Sequence, residues 1–342
     1  MRANHPARYL AMIVDHLEKQ EGFDCSQALA LAGVSRQSLD HLDAVLPLPT
    51  LAHASYLIDT MSGRPDIFLV TGMQCGPAQY GEMGRAILCS ETLRESIAFT
   101  QRYYRLITKS TAMTFQEARG AAEVSWRPVV GLQYHLLIAT FDFLLGAFYN
   151  RLVLILKDDL PDFEVHFSTP APPDVNRYRH LKRGRIYFSQ GGLPCMKLRI
   201  DSSALDTRMP LANPAMFKQV EQKIEMFHQL TQMPQRDWKA WVEMMVRESI
   251  GHQPSLDELA VIANVSSSTL SRYLAAQGCN FRQLSNEIRH ERACVMLRDH
   301  HMRVSDVAQT LGYGAVNNFI RAFRTQAGMS PTQFTAAAIG AA

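Results

Sequence analysis

One pattern occurs twice between residues 256 and 331, and it constrains the chain more than any other feature. The first copy runs from Leu256 to Gly278, LDELAVIANVSSSTLSRYLAAQG; the second runs from Val304 to Gly328, VSDVAQTLGYGAVNNFIRAFRTQAG. Each begins with a short amphipathic stretch carrying an alanine at a fixed place, Ala260 or Ala308. A small side chain there lets a second helix cross closely over the first. A turn follows, Asn264-Val265-Ser266 in one copy and Gly312-Tyr313-Gly314 in the other. Then comes apolar, any, Arg, any, apolar: Leu270-Ser271-Arg272-Tyr273-Leu274 and Phe319-Ile320-Arg321-Ala322-Phe323. The repeat predicts two helix-turn-helix units at 256–278 and 304–328, each offering its second helix to a major groove. Between them 281–298 reads as a connecting helix, its stripe opened by Phe281, Leu284 and Ile288. At its length of about 27 Å it can hold two reading helices roughly one DNA turn apart.

The repeat also predicts which side chains meet DNA. If Leu270, Leu274, Phe319 and Phe323 face the core, the groove face holds Ser268, Ser271 and Arg272 in the first unit. In the second it holds Val316, Asn317, Ile320 and Arg321. Arginine can grip a guanine through O6 and N7, asparagine can pair with adenine, and Val316 and Ile320 can touch thymine methyls. For each arginine a phosphate contact or a salt bridge within the domain is the other reading. Arg324, one step past Phe323, is assigned to phosphate. Thr269 and Asn318 sit beside the buried row as supports. From residue 247 onward every fixed positive charge is arginine, although the net charge of +3 says little about partners.

The fold class expected is mixed, an α+β N-terminal domain followed by an all-α DNA-binding domain. The division is a domain of 1–230, a linker at 231–236 and a second domain of 237–342. Helices are expected over 1–21, in two short pieces between 26 and 46, over 50–62 up to Gly63, and over 90–107 with Ser90 as N-cap. A hairpin is expected around Arg119-Gly120, pairing 113–116 with 122–126. The run 129–156 is the most apolar; it carries His135, Asp142, Asn150 and Arg151, so a buried helix fits it better than a membrane span. Further strands are read at 163–167, 185–189 and 196–200, with a helical piece at 174–181 and a helix at 214–230. A helix at 237–250 opens the second domain, with Trp238, Trp241, Val242, Met245 and Val246 on its apolar face.

The six cysteines are scattered, with no C-x-x-C pair and no histidine at ligand spacing, so no metal or cofactor is expected. Reduced thiols and an N-terminus without a secretory pattern suggest a cytoplasmic protein. No phosphate-binding glycine loop, nucleophile elbow or H-E-x-x-H is present, and Asp158-Asp159 reads as a solvated loop, so an enzyme is not expected. An apolar cavity in the first domain would suit a small molecule, with His135, Arg151 and Lys157 on or near the long helix as candidate polar anchors.

Residues 237–335 resemble the DNA-binding domain of the AraC/XylS family of bacterial transcription regulators. The likeness rests on Val307-Ala308, Leu311-Gly312-Tyr313, Phe319-Ile320-Arg321-Ala322-Phe323-Arg324, Gly328-Met329-Ser330-Pro331 and, in the connector, Arg289, Ala293 and Leu297. Residues 25–210 are similar to the arabinose-binding-type sensing domain of some members, through Gly76–Leu88, the 90–107 helix and Phe163–Phe167 before a proline-rich loop. The resemblance implies double-stranded operator DNA and a small-molecule effector as partners. It implies RNA polymerase if the protein activates, a possible homodimer, and no membrane. Family members often carry Pro, Ser or Glu where this chain has Ala315-Val316-Asn317-Asn318, so the operator is its own. A constitutive or architectural DNA-binding protein without effector is the alternative.

Overall fold

The computed structural model describes residues 4–41, 44–230, 237–263 and 265–339. The expected linker at 231–236 and Asn264 of the first turn lie outside the described residues. The N-terminal half is built on a set of helices and a five-stranded sheet whose strands lie in the order Thr111–Ala118, Ala121–Pro128, Met196–Asp201, Phe163–Phe167, Gly184–Tyr187. A two-stranded ribbon, β1 (Asn4–Pro6) with β2 (Val45–Pro47), closes the first helices into a subdomain. The helix expected over 1–21 therefore starts later, as α1 (Arg8–Gln20), because residues 4–6 pair with β2. Then follow α2 (Ser26–Leu31), a 3₁₀ turn at Arg36–Leu39 and α3 (Leu48–Ser62). Pro49 sits in the first turn of α3, where a missing N–H costs nothing.

Two helices of the N-terminal half escaped the periodicity reading. α4 (Ile67–Gln74) is IFLVTGMQ, apolar all round, because it packs between α1 and the long helix; a helix buried on every side shows no amphipathic stripe. α5 (Glu82–Cys89) follows it. α6 (Leu93–Ile107) then corrects the expected cap: Thr92 accepts the Glu95 N–H at 3.2 Å, while Ser90 donates its hydroxyl to Ala86 O in the last turn of α5.

The hairpin forms as expected, β3 (Thr111–Ala118) against β4 (Ala121–Pro128). β5 (Phe163–Phe167), β6 (Gly184–Tyr187) and β7 (Met196–Asp201) complete the sheet, β5 parallel to β6 and antiparallel to β7. The expected helical piece at 174–181 is a 3₁₀ turn, Val175–His180. Across the sheet lies α7 (Tyr134–Leu156), whose Leu137, Phe141, Leu145 and Leu152 are fully buried. Its run is long and apolar enough to cross a membrane by length and composition alone, yet most of its apolar window is buried against protein. α8 (Pro214–Leu230) packs on α5 and α6 through Val220 and Ile224.

The C-terminal region is helical: α9 (Trp238–Arg247), α10 (Leu256–Ala263), α11 (Ser267–Ala276), α12 (Phe281–Arg298), α13 (Val304–Thr310), α14 (Val316–Ala327) and α15 (Pro331–Ile339). Two apolar cores divide α12 between them. Leu284 and Ile288 pack with α9, α10 and α11, while Ala293 and Leu297 pack with α13 and α14. α15 was not read as a helix from sequence; Phe334 lays its ring edge on Phe323 of the second core.

The two regions touch. Trp241 of α9 is fully buried and donates its indole N–H to Pro128 O at the end of β4, at 3.0 Å. Gly192 and Ile250 exchange two backbone hydrogen bonds, 2.8 and 3.2 Å, and Leu193 is buried in the core of the first helix-turn-helix unit. At Gly131 a Cβ would lie 2.6 Å from the Ala240 backbone, so only glycine permits this approach. The segment after α9 continues the connection. Gly251 donates to Thr310 O at 2.8 Å, and Arg292 of α12 clamps Val246 O and Ser249 O.

Candidate nucleic-acid interface and effector cavity

Ala260 and Ala308 are buried at the two helix crossings, and Leu270, Leu274, Phe319 and Phe323 are buried in the two cores. The remaining faces of α11 and α14 are therefore directed outward. Ser268, Ser271 and Arg272 are exposed, as are Val316, Asn317, Arg321 and Arg324. Ile320 differs: it is half-buried and packs against the second core, so part of its apolar surface is already used. Thr269 supplies a backbone N–H to the Ser266 cap of α11, as a support would. Asn318 accepts a hydrogen bond from Arg321 Nη2 at 3.3 Å.

The arginines after residue 247 fall into two groups. Arg289 reaches Ser285 O, Gln253 and Asn286 and lies over the Tyr313 ring; Arg292 holds two carbonyls. Arg247 and Arg298 pair with Glu291 and Asp299. Arg289, Arg292 and Arg247 tie separate elements of the domain to one another, whereas Arg298 pairs with its neighbour in sequence. Arg272, Arg321 and Arg324 have no ion pair among the described residues, and neither do Arg282 and Arg303, which the sequence reading did not single out. A guanidinium held at the surface without a carboxylate keeps most of its donors for guanine or phosphate, Arg321 spending one on Asn318.

The second unit depends on one backbone position. Gly312, in the turn between α13 and α14, has φ of +73°, and a Cβ there would lie 2.7–2.9 Å from the His252 backbone. The second unit is thereby seated on the segment that also meets the N-terminal domain.

In the N-terminal domain a cavity, partly open to solvent, lies between α1, α3 and α7, walled by Tyr9, Leu51, Phe68, Leu132, Leu136 and Phe143. Its polar lining is neutral: hydroxyls of Ser55, Thr108, Ser110, Thr111 and Thr140, and His5, whose burial lowers its pKa. A second, smaller pocket, also partly open to solvent, adjoins it across Leu144 and is lined by Arg151 with Cys75, Tyr80, Thr100, Tyr104 and Phe148.

The structure does not gather the three expected anchors. His135 stands near the start of α7, its ring edge-on to Tyr56 and Phe68 and its Nδ1 3.9 Å from Asp59, lining neither cavity. Arg151 lies about 24 Å further along the helix axis. Lys157 is exposed just past the helix end, where the chain turns through a φ of +52°. One helix cannot aim side chains this far apart into one small cavity. Sequence reasoning also missed Asp142, buried on α7, where it accepts hydrogen bonds from Tyr178 at 2.7 Å and Arg177 at 3.1 Å. Burial raises its pKa to about 6, against the opposing pull of Tyr178 and Arg177.

A cavity-bearing α+β domain locked to a pair of helix-turn-helix units is the architecture of an effector-sensing DNA-binding regulator. Comparison with known proteins agrees. Residues 22–209 match the family model described as the arabinose-binding domain of AraC transcription regulators, and residues 259–337 match a helix-turn-helix domain model. The chain belongs to the AraC family of transcription regulators, in the group with an arabinose-binding-type N-terminal domain. Among its relatives is the ornithine utilization regulator of Pseudomonas aeruginosa, 25% identical over 96% of this chain and 95% of that one. The transcriptional regulator VqsM of the same organism is 25% identical over 75% of this chain and 79% of its own length. Among solved structures, the transcriptional regulator CdpR of Pseudomonas aeruginosa covers 91% of this chain and 96% of its own at 20% identity, with a TM-score of 0.42.

Proposed function

We propose that this regulator reads its operator through Ser268, Ser271 and Arg272 of α11 and Val316, Asn317, Ile320 and Arg321 of α14, with Arg324 on phosphate. The observation that carries this is the contrast among the arginines. Those on the outward faces of the two reading helices have no ion pair among the described residues, while Arg289, Arg292 and Arg298 of the connector are engaged internally and only Arg282, at its start, is not. The N-terminal domain, with its division from the second placed at 231–236, binds a small effector in the cavity space beside α7. The effector acts by favouring one arrangement of the Trp241–Pro128 and Gly192–Ile250 contacts over another; a ligand that binds both arrangements equally shifts nothing. The protein works in the cytoplasm, as a homodimer on paired sites, with RNA polymerase as partner where it activates.

Titrating the full chain and its Arg272→Ala and Arg321→Ala variants against systematically altered operator sequences tests the DNA assignment. Each variant loses discrimination at one base pair. Uniform weakening on every sequence reassigns that arginine to phosphate.

A further inference from the structure

Arg151 is a permanent cation in a buried place. Its side chain is only 9% exposed, its sole hydrogen bond among the described residues runs from Nη1 to Thr100 Oγ1 at 3.1 Å, and its guanidinium lies 5.8 Å from the Phe148 ring centre. No carboxylate among the described residues pairs with it. The acidic groups around it are Cys75, Tyr80 and Tyr104, and burial holds each of them neutral by raising its pKa. Behind Tyr80 stands a second guanidinium, Arg8, 6.0 Å from that ring; its Nη2 donates to Ile107 O, its Nε is buried with no partner, and no carboxylate among the described residues pairs with it. A buried charge without a counter-ion is strongly unfavourable, and proteins rarely retain one. The rest of the cavity wall, Ile107, Met113, Trp126, Leu144 and Ala147, is apolar.

We propose that the Arg151 cavity is the effector site and that it takes a small monocarboxylate with an apolar body, the carboxylate on the guanidinium and the body against Trp126, Leu144 and Phe148. A single lining cation matches a single negative charge; a phosphate dianion would bring an excess that the aromatic and aliphatic wall cannot offset. The planar fork of arginine fits a carboxylate edge-on. This proposal rests on the effector-sensing reading of the N-terminal domain.

The test uses the full chain, with melting temperature and calorimetric titration as readouts. The probes are acetate, isovalerate and phenylacetate, each beside its matched amide. At least one acid raises Tm by about 5 °C at a hundredfold excess over its Kd, and its amide does not. Arg151→Lys weakens binding tenfold or more. Arg151→Met abolishes it while leaving the ligand-free Tm equal or higher, because a lone buried charge has been removed. If Arg151→Met fails to fold, the acid–amide comparison and Arg151→Lys decide. No shift with any acid, equal shifts from acid and amide, or a shift that survives in Arg151→Met overturns the assignment. Operator affinity measured in the same samples separates the two layers. Acid binding that depends on Arg151 yet leaves operator affinity unchanged keeps the site and removes the sensing reading. An amide that changes operator affinity keeps sensing and removes the carboxylate.

Discussion

At the scale of single residues, identical side chains have different work, and burial assigns it. Arg292 satisfies two carbonyls at the end of α9, so Arg292→Ala leaves buried acceptors unpaired and lowers stability by about 1–3 kcal/mol in chemical denaturation. Arg321→Ala removes an exposed side chain, leaves stability within roughly 0.5 kcal/mol, and costs about 1–3 kcal/mol on the specific operator. Asp142 supplies a pH signature. Burial lifts its pKa in the folded protein to about 6, above its ordinary value of 3.8. The folded state then holds this proton more tightly than the unfolded state. Its contribution to stability falls as pH rises from about 4 to about 6 and is level above that. Asp142→Asn, which keeps a partner for Tyr178, removes that decline. Subtracting the two stability–pH profiles checks it, and a difference that rises with pH toward the wild type would contradict the assignment.

At the scale of elements, crossings and caps decide the geometry. Gly312→Ala forces a Cβ into the His252 backbone at a positive φ. It should unseat the α13–α14 unit and cost more than the ~1 kcal/mol of an ordinary strained glycine position. Hydrogen exchange then shows α13 and α14 opening before α10 and α11. Uniform loss of protection across all four helices would count against this. Gly131→Ala presses on Ala240 at the join between the two domains and touches neither reading helix. It should change operator affinity without changing base discrimination, which titration against operator variants reads directly. The shift of the α6 cap from Ser90 to Thr92 belongs to this scale. Both residues are competent N-caps, and the choice fell to Thr92 because α5 ends close enough for Ser90 to donate to Ala86 O.

At the scale of the whole molecule, α12 separates two cores by a rigid rod about 27 Å long. Two reading helices set by such a rod need their sites on one face of the duplex. Inserting five base pairs between the two contacted segments turns one segment to the far side and should reduce affinity to the non-specific level, whereas inserting a full turn restores the facing but stretches the spacing. Footprinting with each spacer distinguishes a rigid pair from two independently tethered units, which would tolerate both. The helix-turn-helix repeat, the hairpin, the long apolar helix and the connector were legible because each carries its own periodicity, 2 or 3.6, in neighbouring residues. α4 was not, since burial on all sides erases the stripe. That His135, Arg151 and Lys157 do not converge was not legible either, because sharing a helix says nothing about sharing a cavity.

By itself the sequence determined that two copies of one DNA-reading unit stand at the carboxyl end, and which of their positions are apolar enough to be buried. That information is local: a few residues repeat at helical spacing, and burial of their apolar members follows. Only the tertiary structure decided which arginines remain free for DNA, that Arg151 sits beside a cavity without a counter-ion, and that Gly192 and Trp241 lock the two domains. Those facts depend on contacts between residues far apart in the chain, whose pairing no short-range pattern encodes.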